Sequence, residues 1–173
     1  MPLFRCCPQC GAGLPDPIEP PERTLRQDCP ACGVVHYRNA KPTASALVIR
    51  DGQVLLGRRA VEPLRGWWDI PGGFLEPWEE PLVGVRREVR EETGLEITPT
   101  AVLAILVDTY DDPATYTLNV YYLAEVVGGQ LRAADDVAEL RWFAPSELPN
   151  VAFASGREAL RRWAARRLAG LSH

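Results

Sequence analysis

Three glutamates in the middle of the chain have a spacing that places their side chains on one face of a helix. Glu88, Glu91 and Glu92 stand at i, i+3 and i+4, within about one helical turn. Carboxylates so placed repel one another, and they lie near the end of the helix whose dipole disfavours anions. A bound cation would relieve this repulsion, and oxygen-only ligands favour Mg2+ or Mn2+. The alternative is a solvated acidic face that pairs with neighbouring arginines.

A helix is predicted to carry these glutamates. Pro81 suits its first position, because the N–H that proline lacks would have no partner there, and Gly94 suits the left-handed residue that closes a helix. Gly84 is expected to weaken the helix by about 1 kcal/mol relative to alanine. Three apolar residues recur at intervals of three and four and predict a stripe that faces the core: Leu82, Val85 and Val89.

The residues around the glutamates complete a longer pattern. Residues 73–95 read GFLEPWEEPLVGVRREVREETGL, with a glycine first, a glutamate six positions later and Arg-Glu-Val-Arg-Glu-Glu-Thr-Gly-Leu at the end. This stretch resembles the signature of the Nudix hydrolases, and every fixed position of that signature is filled. The resemblance implies an α/β fold, namely a Nudix-type α/β/α sandwich with a mixed sheet. It also implies an enzyme that hydrolyses acid anhydrides.

The resemblance assigns roles within this stretch. The three glutamates are expected to bind Mg2+ or Mn2+, and Glu88 either binds the metal or helps to remove a proton from water. The carbonyl group of Gly73 is expected to complete the metal's ligands, while Glu79 and Arg87 form a supporting ion pair that orients the helix. A further acid often comes from outside the stretch, and there are three candidates for it: Asp135, Asp136 and Glu139.

The segment before the signature contains candidate substrate contacts. Residues 66–73 read GWWDIPGG, which is similar to the run that leads the Nudix backbone to its metal. Trp68 is expected to pack in the core, whereas Trp67 is freer to stack on a base. Arg58 and Arg59 end a predicted strand and could hold a phosphate or carboxylate of the substrate. Solvated surface charge is the alternative for both arginines.

Four cysteines near the N-terminus predict a structural zinc site. Cys7 and Cys10 form one Cys-Pro-X-Cys-Gly turn, and Cys29 and Cys32 form another after eighteen intervening residues. That spacing is typical of a zinc site with four thiolates, which leaves no open position for catalysis. Two disulfides or free thiols are the alternative. The neighbouring Cys6 is expected to remain an uncoordinated thiol.

The rest of the chain supplies the strands and a closing helix. Residues 1–40 are predicted to form a zinc ribbon and residues 41–173 a Nudix hydrolase domain. Asp51-Gly52 predicts a hairpin turn. Ser155 is a possible N-cap for a final helix over residues 155–169. Strands are predicted over residues 44–50, 54–59, 102–107, 116–127 and 139–143.

Composition limits the class of protein. The chain has 173 residues, of which 46% are hydrophobic and 24% charged, with a net charge of −4. A folded domain plus a small module fits this length and composition, and no basic footprint for nucleic acid is present. No apolar run is long enough to span a membrane and no signal-peptide pattern is seen, so a cytoplasmic location is expected. The sequence leaves open whether the chain forms a homodimer.

The resemblance narrows the substrate to a nucleoside diphosphate linked to another moiety. Four cysteines ahead of a Nudix signature are similar to two groups, the NADH pyrophosphatases and shorter zinc-ribbon proteins associated with ADP-ribose and FAD. NADH pyrophosphatases carry a Ser-Gln-Pro-Trp-Pro-Phe-Pro-like stretch soon after the signature, where this chain has EITPTAVLAILVDTYDDP. An ADP-linked compound such as ADP-ribose or FAD is therefore favoured, with NADH as the alternative. A sensor that binds a nucleotide sugar without cleaving it is the alternative from a different class.

Overall fold

The computed structural model describes residues 4–16, 26–111 and 115–168. The chain divides into two compact units, residues 1–40 and residues 41–173. Within the described ranges, no helix is both long and apolar enough to cross a membrane.

The first unit contains two turns of matching geometry. In each turn the glycine after the second cysteine has a left-handed backbone, with φ of 75° at Gly11 and 76° at Gly33. Each of these glycines donates its N–H to the carbonyl of the first cysteine of its turn, Cys7 or Cys29, at 2.9 Å. The repeated Cys-Pro-X-Cys-Gly sequence therefore folds into the same turn twice, as glycine permits.

A small sheet accompanies the two turns. β1 (Arg26–Asp28) pairs antiparallel with β2 (Val35–Tyr37). The side-chain amide of the fully buried Gln27 donates to the backbone carbonyls of Phe4 and Pro15. These hydrogen bonds tie the first described residues of the chain to the sheet.

The second unit is a mixed sheet between two helices. The sheet order is β5-β4-β3-β8-β7, with β6 paired to β3 and β9 paired to β4. β3 and β8 run parallel, and the other pairs are antiparallel. Its strands are β3 (Lys41–Arg50), β4 (Gln53–Arg59), β5 (Trp68–Asp69), β6 (Gly72–Phe74), β7 (Leu95–Thr109), β8 (Tyr116–Gly129) and β9 (Val137–Phe143). Its helices are α1 (Pro81–Thr93), a 3-10 turn (Pro145–Glu147) and α2 (Ala154–Leu168).

The two faces of the sheet carry separate hydrophobic cores. Side chains alternate along β3, so that Ala44, Ala46 and Val48 pack with Val85 and Val89 of α1. Leu47 and Ile49 face the other way and share a core with Ala159, Leu160 and Trp163 of α2. Helices therefore cover both faces, which confirms the predicted sandwich of a mixed sheet between helices.

The turn between β3 and β4 has the predicted form. Asp51 and Gly52 both adopt a positive φ, 52° and 77°. Two such residues in sequence define the turn type whose twist matches a two-residue hairpin.

α1 has the predicted bounds and closes at Gly94, which has a φ of 70°. Val85 and Val89 are fully buried, but Leu82 remains 45% exposed, so its assignment to the core was wrong. Leu82 lies in the first turn of the helix, where its neighbours do not cover it. Gly84 is needed for packing rather than being a simple weak point. A Cβ atom there would lie 2.4 Å from Leu75 Cδ2 and 2.9 Å from Glu79 Oε2.

α2 begins one residue before the predicted N-cap. Ser155 is inside the helix, and its N–H donates to Asp108 Oδ2 at 2.6 Å. The Ser155 hydroxyl instead makes a 2.8 Å hydrogen bond with the Tyr121 hydroxyl. A carboxylate far away in the sequence therefore supplies the cap, and the Ser155 N-cap prediction was wrong. The predicted end of this helix, Ala169, lies outside the described residues.

Candidate active site

A cavity of about 270 Å3 opens beside α1, β6 and the parallel pair of β3 and β8. Of the predicted site residues, it brings together Arg59, Gly73, Glu88 and Glu92. Carboxylate, hydroxyl and aromatic side chains all line the cavity. The acidic lining residues are Asp69, Glu76, Glu88, Glu92, Asp108, Asp135 and Asp136.

Glu92 is the most buried carboxylate of the predicted metal face. The residue is 6% exposed, and its Oε2 accepts the N–H of Gly72 at 2.9 Å. Burial raises the pKa of Glu92 well above its usual range, and the carboxylates of Asp136 and Glu88 raise it further. Without a cation the protein thus disfavours the ionised form, which a metal ion would stabilise.

Glu88 lies directly against the backbone of Gly73. A Cβ atom at position 73 would stand 2.6 to 2.7 Å from all three atoms of the Glu88 carboxyl group. Glycine is therefore required for the strand and the carboxylate to approach each other. Burial raises the pKa of Glu88, although the adjacent Arg87 acts in the opposite direction.

Arg87 and Glu79 form a two-pronged ion pair. Arg87 donates from Nε and from one terminal nitrogen to the two oxygens of Glu79, each at 2.8 Å. These bonds lower the pKa of Glu79 to about 2. The other terminal nitrogen of Arg87 reaches Glu88 at 2.8 Å and Glu91 at 3.1 Å. Glu91 is half exposed and does not line the cavity in this arrangement.

The three candidates for an additional acid differ in whether they line the cavity. Asp135 and Asp136 line the cavity. Glu139 does not, because it pairs on the surface with Arg58 at 3.5 Å. Asp135 has a φ of 53°, so the loop before β9 turns sharply where these two aspartates reach the site.

The two predicted substrate arginines have different environments. Arg59 lines the cavity and is largely buried, with hydrogen bonds to the Pro63 carbonyl, the Asp69 carboxylate and the Tyr110 hydroxyl. Burial raises the pKa of Asp69 to about 6, and the Arg59 guanidinium opposes that shift. Arg58 is half exposed and, like Trp67, lies outside the cavity lining. Trp68 packs edge-on against Phe143, as predicted for a core residue.

Sequence reasoning missed the polar wall of the cavity. Thr43 and Ser45 on β3 lie beside Asn119 and Tyr121 on β8 in the parallel pairing. Thr43 donates to Asn119 Oδ1 at 2.7 Å, and the Asn119 amide donates to the Thr117 hydroxyl at 3.0 Å. The available signal was the presence of Thr and Ser on the same strand face as Leu47 and Ile49, where a core strand would be apolar.

The four predicted zinc ligands cluster in the first unit. Their Sγ atoms all lie within 4.8 Å of one another, and none is in a disulfide. Cys7 and Cys32 are 3.7 Å apart, and Cys10 and Cys29 are 3.6 Å apart. A tetrahedron with zinc–sulfur bonds of about 2.3 Å has sulfur separations of about 3.8 Å, so the cluster has the size of such a site. His36 Nε2 lies 3.4 Å from the Cys7 sulfur, beside the cluster.

The acidic face of α1 packs against the glycine strand β6, and helices cover both faces of the mixed sheet. This combination agrees with the family comparison. A model of the NUDIX domain matches residues 40–165. The chain belongs to the Nudix hydrolase family.

Two relatives within the family are similar to this chain over most of its length. The chain is 32% identical over 117 residues to an "ADP-ribose pyrophosphatase" of Methanocaldococcus jannaschii, covering 68% of this chain and 69% of that one. It is 34% identical over 146 residues to an "NAD-capped RNA hydrolase NudC" of Stutzerimonas stutzeri, covering 84% of this chain but only 50% of the relative. The chain thus spans about half the length of that relative.

A solved structure matches nearly the whole chain. It is a NUDIX hydrolase from Nitrosomonas europaea, with a TM-score of 0.80 and 28% sequence identity. The match covers 96% of this chain and 94% of that one.

Proposed function

We propose that this protein hydrolyses the pyrophosphate bond of a nucleoside diphosphate linked to another moiety, releasing a nucleoside monophosphate. An ADP-linked compound such as ADP-ribose or FAD is the favoured substrate. The observation that carries the proposal is the convergence of Glu88, Glu92 and Asp136 on one cavity next to the glycine strand. Buried carboxylates with raised pKa values need a cation to remain ionised together.

The donor set fits Mg2+ or Mn2+. Carboxylate oxygens and a backbone carbonyl are hard ligands, and none of the described residues that line this cavity offers a sulfur or imidazole group. Glu88, Glu91 and Glu92, together with the carbonyl of Gly73, would hold the ion. When bound, the ion would neutralise the pyrophosphate and polarise its phosphorus toward attack by water.

The protein's own groups hold and orient this arrangement. The Gly72 N–H donates to one oxygen of Glu92 and so fixes the orientation of this carboxylate. Arg87 is anchored by its paired bonds to Glu79, independently of its contacts with Glu88 and Glu91. Glu88 would either bind the ion or help to remove a proton from the attacking water. Arg59 faces the cavity and can hold a phosphate oxygen of the substrate with the N–H groups that its present partners do not use.

For residues 1–40 we propose a structural zinc ribbon. Four free sulfurs at tetrahedral separations, two of them on buried cysteines, support a closed zinc site. Reduced thiols fit a cytoplasmic location. The zinc would stabilise a unit whose described residues belong to neither hydrophobic core.

NADH, or another NAD-linked substrate, is the second candidate. The 34% identity to a relative named NAD-capped RNA hydrolase favours it. Against it stands the segment after α1, which forms β7 and lacks the proline-rich stretch of NADH pyrophosphatases.

Product analysis by chromatography tests the proposal. The protein is incubated with Mg2+ and, separately, ADP-ribose, FAD, NADH, NAD+, diadenosine polyphosphates and nucleoside triphosphates. Release of AMP from an ADP-linked compound is expected. Cleavage of triphosphates alone would overturn the substrate class, and binding without cleavage of any compound would support a sensor instead.

A further inference from the structure

On the side of β3 and β8 that faces α2, the residues change from polar to apolar along each strand. On β3, Leu47 and Ile49 belong to the hydrophobic core, whereas Thr43 and Ser45 precede them on the same side and line the cavity. On β8 the polar residues Thr117, Asn119 and Tyr121 likewise precede the apolar Leu123. We call the polar set the hydroxyl wall: Thr43, Ser45, Thr117, Asn119 and Tyr121.

Hydrogen bonds fix most side chains of the hydroxyl wall, but some of its hydrogen-bonding groups have no partner among the described residues. Thr43, Asn119 and Thr117 form a chain of hydrogen bonds, and Tyr121 bonds Ser155. The Ser45 hydroxyl makes no side-chain hydrogen bond to any part of the chain that the structure describes, although the residue is only 9% exposed. Ser45 lines the cavity, so its hydroxyl can donate a hydrogen bond to a ligand there and accept one from it.

An additional strong acceptor lies beside this wall. Asp108 Oδ2 accepts the Ser155 N–H and Oδ1 accepts the Thr109 N–H, so the carboxylate is held in place from two sides. Each oxygen retains a second lone pair, and the residue lines the cavity. Burial raises the pKa of Tyr121, so its hydroxyl keeps its proton.

Three aromatic rings also line the cavity, those of Phe74, Tyr110 and Phe153. Tyr110 stacks on Phe153 with ring centroids 5.4 Å apart, and Phe74 meets Tyr110 edge-on at 5.2 Å. The Arg59 guanidinium lies 5.2 Å from the Phe153 ring centre. Because these rings already contact one another and the guanidinium, they do not leave a slot between two faces for a nucleobase.

Size and chemistry together favour a sugar. The cavity, at about 270 Å3, is smaller than the roughly 300–1,000 Å3 that bury a drug-sized ligand, so it encloses only part of a dinucleotide. Hydroxyl, carboxylate and aromatic groups in one cavity match the several hydroxyl groups and the C–H faces of a pentose. Ser45 pairs with Gly72 in the sheet, so the wall adjoins the glycine strand against which Glu88 and Glu92 lie.

We propose that the hydroxyl wall and Asp108 bind the pentose attached to the second phosphate of the substrate, while the nucleobase lies outside this cavity. Ser45 and Asp108 are the specificity-determining residues, and the ligand class is a nucleoside diphosphate that carries a free pentose. This inference rests on the proposed pyrophosphohydrolase function.

Paired substrates test the proposal with the full-length protein and Mg2+. ADP-ribose is compared with the β-methyl ester of ADP, which keeps the pyrophosphate but lacks the sugar. A hydrogen bond to the neutral Ser45 hydroxyl and a stronger one to the Asp108 carboxylate together predict a kcat/KM for ADP-ribose at least about 10-fold higher. Replacing adenine by hypoxanthine in ADP-ribose is expected to change kcat/KM by less than about 3-fold.

The Ser45→Ala variant tests whether the preference for ADP-ribose depends on the Ser45 hydroxyl. This variant should lower kcat/KM for ADP-ribose by about 3- to 10-fold, and by clearly less for the methyl ester. Thr98→Ala, an exposed position outside the cavity, is the matched control and should leave both values unchanged. A second variant, Asp108→Asn, keeps an oxygen for the Ser155 N–H and should also discriminate against ADP-ribose. Its melting temperature shows whether α2 is still capped.

The outcomes separate the two claims. Hydrolysis of both compounds at similar rates, or an equal loss on both from Ser45→Ala, would overturn the sugar site and leave the pyrophosphohydrolase intact. The sugar site would also be overturned if kcat/KM depended strongly on the base and not on the sugar. Failure to hydrolyse either compound would overturn the sugar site, and failure to hydrolyse FAD and the other ADP-linked compounds as well, with Mg2+ or Mn2+, would overturn both claims.

Discussion

At the scale of single residues, Asp69 and Arg59 are a largely buried pair that the sequence did not mark as coupled. Arg59 ends β4 and Asp69 ends β5, and the pairing of Arg58 with Trp68 in the sheet brings them within 3.3 Å. Both residues line the acidic cavity, and the carboxylate of Asp69 contributes to the raised pKa of Glu92.

The raised pKa of Asp69 has a consequence for stability. Its folded-state value of about 6 exceeds the ordinary value of 3.8, so the folded protein binds the proton more tightly than the unfolded chain. Stability from this group is therefore lost as pH rises from about 4 to about 6. Urea denaturation of metal-free protein should show wild type losing about 1–2 kcal/mol relative to Asp69→Asn across this window. A constant difference between the two proteins would contradict this assignment.

Arg87 should not tolerate lysine. Its fork engages both oxygens of Glu79, and a single ammonium cannot reproduce this geometry. Arg87→Lys is expected to lower kcat/KM by roughly 10-fold or more and to lower the melting temperature. Arg86→Lys, at an exposed position of the same helix, is the control for the loss of an arginine. Equal behaviour of the two variants would exclude a positioning role for Arg87.

At the scale of elements, α1 shows what a sequence can predict and what it cannot. Pro81 and Gly94 mark its ends because their constraints are local to the backbone. The exposure of Leu82 and the packing of Gly84 depend on what lies across from the helix, and no periodicity contains that information. The cavity was missed for the same reason: Thr43 and Asn119 meet only through a parallel pairing across 76 positions.

Gly84→Ala provides a test in which local and tertiary effects have opposite signs. Helix propensity alone predicts stabilisation by about 1 kcal/mol. Contact with Leu75 and with the Glu79 carboxylate, which Arg87 holds in place, predicts destabilisation by about 1–3 kcal/mol instead. Gly156→Ala in α2 is the control, because its nearest neighbour is 3.5 Å away, an ordinary contact. Urea denaturation should show Gly84→Ala less stable and Gly156→Ala at least as stable as wild type.

At the scale of the whole molecule, the chain joins two units with different sources of stability. Residues 41–173 have a core on each face of a sheet, whereas the described part of residues 1–40 has a small sheet and a cysteine cluster. The cysteine spacing was sufficient to predict the cluster, because each turn is local and the repeat is nearly identical.

Metal analysis should find one zinc ion per chain. Cys7→Ser should lose it, since the buried Cys7 sulfur belongs to the four-sulfur cluster. Cys6→Ser should retain it, because the exposed Cys6 lies outside that cluster. Limited proteolysis is expected to cut within residues 1–40 of Cys7→Ser and to spare the rest. Retention of zinc by Cys7→Ser, or its loss from Cys6→Ser, would contradict the ligand assignment.

The central claim is that the carboxylates of α1 hold a metal for pyrophosphate hydrolysis. The most direct test compares Glu92→Gln with wild type on the ADP-linked compound that wild type cleaves best. Glutamine keeps an oxygen for the Gly72 N–H, so the fold should persist, while AMP release should fall by roughly 10²–10⁴-fold. Glu96→Gln, an exposed carboxylate just after the helix, should retain full activity. Undiminished AMP release by Glu92→Gln would contradict the account.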